Sequence, residues 1–128
     1  MLICDDEARL ASLTAGLLED YGYEPLTVAR GDEALGALSD SARRIDLVLL
    51  DVNLTSGLSA RGLLLAMLER NIDVRVVLTS GLAEEDVPED LLAHTRVAGY
   101  LAKPYSVEQL VEAIDRALAG RPGPNSRE

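Results

Sequence analysis

The sequence predicts an α/β fold: a five-stranded parallel sheet, strand order 2-1-3-4-5, with helices on both faces. Three observations predict it. Five short apolar runs rich in Leu, Val and Ile alternate with five stretches whose apolar residues recur at helical spacing. Strands and helices in alternation form a parallel sheet joined by right-handed crossovers. The 128 residues make one domain, too short for a six-stranded dinucleotide-binding sheet and well matched to five strands.

The first strand is Leu2–Cys4, and three acids follow it, Asp5, Asp6 and Glu7. In the helix after it, Leu10, Leu13, Leu17, Leu18 and Tyr21 are expected on one buried face, with Gly22 as the C-terminal stop. The second strand, Leu26–Val28, follows Pro25, which cannot donate to a ladder and so suits an edge. A second helix is predicted over about 32–38. The third strand, 47–50, is a continuous apolar run of the kind buried on both faces, and Asp51 ends it. The third helix, about 61–69, is apolar through its middle and is expected to be the most buried. The fourth strand, 75–79, leads into Ser80 and Gly81. The acidic stretch 84–94 reads as a fourth helix with Pro88 in its first turn. The fifth strand, 99–101, is followed by Lys103 and Pro104. The last helix aligns Val107, Leu110, Val111, Ile114 and Leu118, and Ser106 and Gln109 have capping-box spacing at its start. Together these elements describe a flavodoxin-like domain over 1–119. The stretch 120–128, GRPGPNSRE, reads as a disordered tail or the start of a linker.

Composition narrows the function. A hydrophobic fraction of 48% with no Phe or Trp and only four Tyr predicts an aliphatic core, not an aromatic binding groove. With 12 basic against 22 acidic residues, a net charge of −10 and no basic run, direct nucleic-acid binding is not expected. The single cysteine, Cys4, permits no intramolecular disulfide, reads as a small buried hydrophobe and suits a reducing cytosol. No apolar run is long enough to cross a bilayer, and the acids after Cys4 leave no room for a signal peptide, so a cytoplasmic protein without membrane contact is expected. His94 is expected to be solvated.

In an open parallel sheet, function collects at the carboxyl ends of the strands. Four distant segments deliver Asp5, Asp6 and Glu7, Asp51, Thr79 and Ser80, and Lys103 to that edge. Two carboxylates about 4 Å apart repel by roughly 4 kcal/mol at an effective dielectric near 20, so a raised pKa or a cation must relieve them. An all-oxygen set of this kind is what Mg²⁺ prefers, and Lys103 can offset one more charge. Such a cluster is a seat for a phosphoryl group, with Asp51 as nucleophile and Ser80 as hydrogen-bond donor. The plainer readings are that Asp5 and Asp6 cap the first helix, and that Asp51 caps a turn.

The segments CDDE (4–7), LVLLDVNL (47–54), VVLTSG (76–81) and GYLAKPY (99–105) resemble, in order, the signature blocks of response-regulator receiver domains. The resemblance covers about residues 1–119. It implies that Asp51 is phosphorylated, that Asp5, Asp6, Asp51 and the backbone carbonyl of Asn53 hold Mg²⁺, and that Ser80 is the hydroxyl switch residue beside the small Gly81. It implies that Lys103, aimed by a cis Lys103–Pro104 bond, pairs with the phosphoryl group, and that Tyr100 is the aromatic switch. Its implied partners are a histidine kinase or phosphotransfer protein and a downstream protein or fused domain, reached through the face of the fourth helix, fifth strand and fifth helix; a homodimer is open. The sequence departs from the family where Thr55 replaces the usual proline and Ser59 or Ala60 a usual glycine, so the loop after Asp51 is expected to take another shape. Leu82 cannot orient a hydrolytic water, which implies a long-lived phosphoryl group. The runner-up readings are a degenerate receiver that docks proteins without phosphorylation and, further off, an aspartate-based phosphatase.

Overall fold

A computed structural model of the chain describes residues 1–40 and 42–119, so the expectation for 120–128 lies outside the described residues. The elements are β1 (Leu2–Cys4), α1 (Ala8–Asp20), β2 (Leu26–Val28), α2 (Gly31–Ser39), β3 (Leu47–Asp51), α3 (Ala60–Glu69), β4 (Arg75–Ser80), α4 (Glu89–Leu92), β5 (Val97–Ala102) and α5 (Val107–Ala119). All strand pairs are parallel, and the order is β2-β1-β3-β4-β5, as predicted.

Alternation along the central strands divides the core in two. Leu2, Cys4, Val48, Leu50, Val76 and Leu78 point to one face, where Ala34 of α2, Leu63, Leu64 and Met67 of α3 and Leu91 of α4 cover them. Ile3, Leu47, Leu49, Val77 and Leu101 point to the other, against Ala11 and Leu18 of α1 and Leu110, Ile114 and Ala117 of α5. Each fully buried Leu or Ile contributes about 1.5–3 kcal/mol of burial free energy, and β3 is buried along its whole length. This places Asp51 at the end of the best-anchored strand.

Capping and turn chemistry follow the sequence. Gly22, at φ +89, donates to the Glu19 carbonyl and Tyr23 to that of Leu18, closing α1. The capping box of α5 forms in both directions: Ser106 N–H to Gln109 Oε1 at 2.9 Å, and Gln109 N–H to Ser106 Oγ at 3.1 Å. Ser59 Oγ accepts the Gly62 N–H at 3.0 Å and caps α3. In the loop before it the left-handed residue is Gly57, at φ +71.

Three expectations are corrected. The buried stripe of α1 is Ala11, Thr14 and Leu18, whereas Leu13, Leu17 and Tyr21 are exposed. Small Ala11 lets the helix approach the sheet, and Thr14 can be buried because its hydroxyl shares a 2.9 Å hydrogen bond with that of Tyr105. As expected, α3 has the largest buried share of the helices, through Ala60, Leu63, Leu64 and Met67, while Leu65 and Leu68 of its apolar middle face solvent. The stretch 84–94 is not one helix but a 3₁₀ turn, Glu84–Asp86, and the single turn of α4. Pro88 disfavours helical backbone at Val87, which is extended (φ −80, ψ 138), and stands itself at the N-cap of α4. His94 is half-buried, and its Nδ1 accepts the Arg96 N–H at 3.0 Å in the turn into β5. Among the described residues no helix is long and apolar enough to cross a membrane.

Candidate functional site

The parallel order sets the ends of β1, β3, β4 and β5 along one edge of the sheet. Asp5 and Asp6 directly follow β1, Asp51 ends β3, Ser80 ends β4, and Lys103 lies just past β5. The structure brings the predicted acids together: one oxygen from each of Asp5, Asp6 and Asp51 lies within 4.8 Å of the other two. Asp5 and Asp51 are buried and Asp6 half-buried.

Lys103 enters this cluster from the loop after β5. Its Nζ stands 3.1 Å from Asp5 Oδ2, 3.5 Å from Asp51 Oδ2 and 2.8 Å from Glu7 Oε1. The Lys103–Pro104 peptide is cis, as the resemblance implied. The Lys103 N–H donates to the Ser80 carbonyl at 2.7 Å, which continues the β4–β5 pairing one residue beyond the strands. Beyond Pro104, the Tyr105–Thr14 hydroxyl bond ties this loop to α1.

Each acid is also oriented by main-chain N–H groups. Asp5 Oδ1 accepts from Glu7 at 2.8 Å, and Asp51 Oδ1 from Asn53 at 3.0 Å. Asp6 Oδ2 accepts from Thr55, once from its N–H at 3.1 Å and once from its hydroxyl at 2.8 Å. Burial pushes the Asp51 carboxyl above the ordinary carboxylate range and the charge of Asp5 adds to this, against the opposing Asn53 N–H and Lys103 ammonium. For Lys103, burial disfavours the charge, but hydrogen bonds to Glu7 and Asp5 and the charges of Asp51 and Asp5 outweigh it and hold the ammonium above the usual lysine range. Cys4, one residue before the cluster, is buried, and burial together with the charges of Asp5 and Asp51 pushes its thiol up to about 12. It is a core residue beside an acidic site.

The hydroxyl side of the site is equally ordered. Ser80 is fully buried, and its Oγ accepts from the Leu82 N–H at 3.1 Å and the Asn53 side-chain amide at 3.3 Å. Asn53 thus links Asp51 to Ser80, its N–H on one and its side chain on the other. Gly81 faces open space, where a methyl would meet no neighbour. Tyr100 is half-buried; its hydroxyl donates to the Leu82 carbonyl and stands 3.4 Å from that of Ser80. The aromatic ring of β5 is thereby attached to the loop after β4.

Two residues of this constellation were not singled out as site residues by sequence reasoning. Glu7 belongs to the acidic run after β1, but nothing in the sequence pairs it with Lys103. Thr55 stood out only as a departure from a family pattern, and its contact with Asp6 spans 49 positions.

An all-oxygen set of three converging carboxylates fits a hard divalent cation, and Asp5, Asp6 and Asp51 are the residues that could hold one. Comparison with known proteins gives a consistent result. Residues 1–115 match the family model of the response regulator receiver domain. The chain is 36% identical over 120 residues to the nitrogen assimilation regulatory protein NtrX of Azorhizobium caulinodans, covering 92% of this chain and 26% of that protein. It is 34% identical over 131 residues to the phosphate regulon transcriptional regulatory protein PhoB of Pseudomonas aeruginosa, covering 100% of this chain and 55% of that one. The chain therefore spans between about a quarter and about half the length of these curated relatives. Among solved structures it is similar to the receiver domain of NtrX from Brucella abortus, with a TM-score of 0.82, 30% identity and coverage of 94% of this chain and 98% of that one.

Proposed function

The chain belongs to the response regulator receiver domain family, and from that premise we propose that it is a phosphorylation switch of two-component signalling whose acceptor is Asp51. The observation that carries this reading is the convergence of Asp5, Asp6 and Asp51 with the Lys103 ammonium at the carboxyl edge of the sheet.

In this reading the donor is the phosphohistidine of a histidine kinase or a phosphotransfer protein. A carboxylate oxygen of Asp51 attacks phosphorus and forms a P–O bond as the donor's P–N bond breaks. The electron pair of that bond stays with the imidazole nitrogen. Asp5, Asp6, Asp51 and the backbone carbonyl of Asn53 would hold Mg²⁺, whose charge when bound offsets that of the phosphoryl oxygens. Lys103, already beside Asp51, moves its ammonium from Asp5 and Glu7 to the phosphoryl group. Ser80 gives up the N–H of Leu82 and turns its hydroxyl toward the same group. The Leu82 carbonyl is bonded to Tyr100, so this movement reaches the open groove lined by Glu84, Tyr100, Ala102, Gln109, Glu112 and Arg116. That groove lies between the 3₁₀ turn 84–86, β5 and α5, and in this reading it is where a downstream protein, a fused domain or a second copy would read the state. The protein is a signalling acceptor, not a turnover enzyme: the side chain two positions past Asp51 is the Asn53 amide, which has no acidic proton for a leaving group. Its setting in this reading is the cytosol, in keeping with a single buried free thiol.

Intact mass after incubation with acetyl phosphate tests the proposal. A gain of one phosphoryl group with Mg²⁺, lost in EDTA and lost in Asp51→Asn, is the expected outcome. Undiminished labelling of Asp51→Asn would overturn the assignment. A folded protein that gains nothing would leave the phosphorylation-independent docking module as the better reading.

A further inference from the structure

The three carboxylates of the cluster are oriented in two different ways. Asp5 and Asp51 each accept an N–H from two positions further along, Glu7 and Asn53. These are local turns, built by the residues that flank each acid. Asp6 is aligned from a distance: both donors on its Oδ2, the N–H and the hydroxyl of Thr55, come from the loop between β3 and α3. Thr55 is held in place by its own neighbours. Leu54 is buried among the residues beneath α3, and the Val52 N–H donates to the Thr79 carbonyl at 2.9 Å.

From this geometry we infer that Thr55 is a positioning residue for the cation site, a clamp that sets the Asp6 carboxylate toward Asp5 and Asp51. The inference rests on the proposed Mg²⁺ role of the cluster and extends it to a residue outside the ligand set. Both Thr55 donors land on Oδ2, so neither occupies Oδ1, and the carboxylate plane is held by two bonds instead of rotating freely. A carboxylate held in this way loses less rotamer entropy when a cation arrives. Hydrogen bonds that orient a ligand from outside the metal's own shell commonly change metal affinity by about 10–100-fold. Thr55 is exposed and Asp6 only half-buried, so the expected effect is at the lower end. The clamp also joins the loop after β1 to the loop after β3 through a carboxylate that binds the cation. Cation binding and the conformation of residues 52–59 are therefore coupled.

Calorimetric titration of Mg²⁺ into the whole chain at neutral pH, without phosphoryl donor, tests this. Thr55→Val keeps the N–H and the shape but removes the hydroxyl. It should weaken Mg²⁺ binding by about tenfold. Thr55→Ser, which restores the hydroxyl, should return affinity to within about twofold of the native chain. Equal affinity in the native chain and Thr55→Val would overturn the role of Thr55 while leaving the cation site intact. So would loss of affinity in Val and Ser variants alike, because that marks a change of packing and not of hydrogen bonding. Absence of saturable Mg²⁺ binding by the native chain would overturn the cation site and the clamp together.

Discussion

The ammonium of Lys103 stands 3.1 Å from Oδ2 of Asp5, with the lysine side chain 13% and the aspartate 7% exposed. This pairing offsets part of the negative charge that Asp5, Asp6 and Asp51 bring to one edge. The same Nζ reaches Asp51 and Glu7, so one positive charge serves three acids. Removing it leaves Asp5 and Asp51 buried with only the Glu7 and Asn53 N–H groups to offset their charge. Lys103→Ala should lower stability by about 2 kcal/mol in EDTA, less than the roughly 3–5 kcal/mol of a fully enclosed pair because Glu7 and Asp6 open the site to water. Urea denaturation at neutral pH measures this, and added Mg²⁺ should recover part of the loss. An unchanged midpoint would mean that the acids relieve one another by sharing protons.

The raised affinity of Asp51 for its proton gives a second prediction. A folded-state pKa above the unfolded value means that this group's stabilising contribution is complete below about pH 4. It is lost as pH rises through the folded value. The contribution is therefore smaller at pH 7.5 than at pH 4 in the cation-free fold. Asp51→Asn keeps an acceptor oxygen for the Asn53 N–H and removes the charge. Its thermal midpoint in EDTA should exceed that of the native chain at pH 7.5, and the gap should shrink toward pH 4. A gap that does not depend on pH would show that the gain has another origin.

Tyr100 attaches the sheet to the loop after β4 through its hydroxyl. Tyr100→Phe should cost about 1 kcal/mol and speed amide hydrogen exchange in residues 82–87. Exchange at native rates would mean that burial of Val87 and Leu91 holds this segment without help from the hydroxyl.

Two glycines of α2 make an internal comparison. A methyl at Gly31 would overlap the Leu58 carbonyl, part of the loop that presents Thr55, whereas a methyl at Gly36 would meet nothing. Gly31→Ala should destabilise by about 2–3 kcal/mol through overpacking. Gly36→Ala should stabilise by about 0.5–1 kcal/mol through helix propensity. Urea midpoints of the two variants decide the matter; equal shifts would mean that the α2 N-terminus yields to the loop at little cost.

Much of this was legible in the residue pattern. The five apolar runs marked the strands, and the polar residue at the end of each run marked what reaches the carboxyl edge. Asp5, Asp51, Ser80 and Lys103 could thus be expected at one edge of the sheet, where the structure has them, because a strand's end is a local property and the connections of a parallel sheet share one hand. Which residues of Leu2–Cys4 and Leu47–Leu50 meet each set of helices was seen only in the structure, where strand alternation divides them between the two halves of the core.

Other features belong to the assembled molecule. The inward face of α1 was misjudged because that helix carries more apolar surface than one contact can cover. The choice fell to Thr14, through a hydroxyl 91 positions away on Tyr105. The splitting of 84–94 depends on Val87 being drawn into the core in an extended conformation beside Pro88. Glu7 joins Lys103 and Thr55 joins Asp6 only when loops from different crossovers arrive at the same edge. Local pattern sets where a chain turns polar at the end of a strand. Which of those polar groups touch is set by packing between segments that share no local signal, and only the folded chain brings them within hydrogen-bond distance.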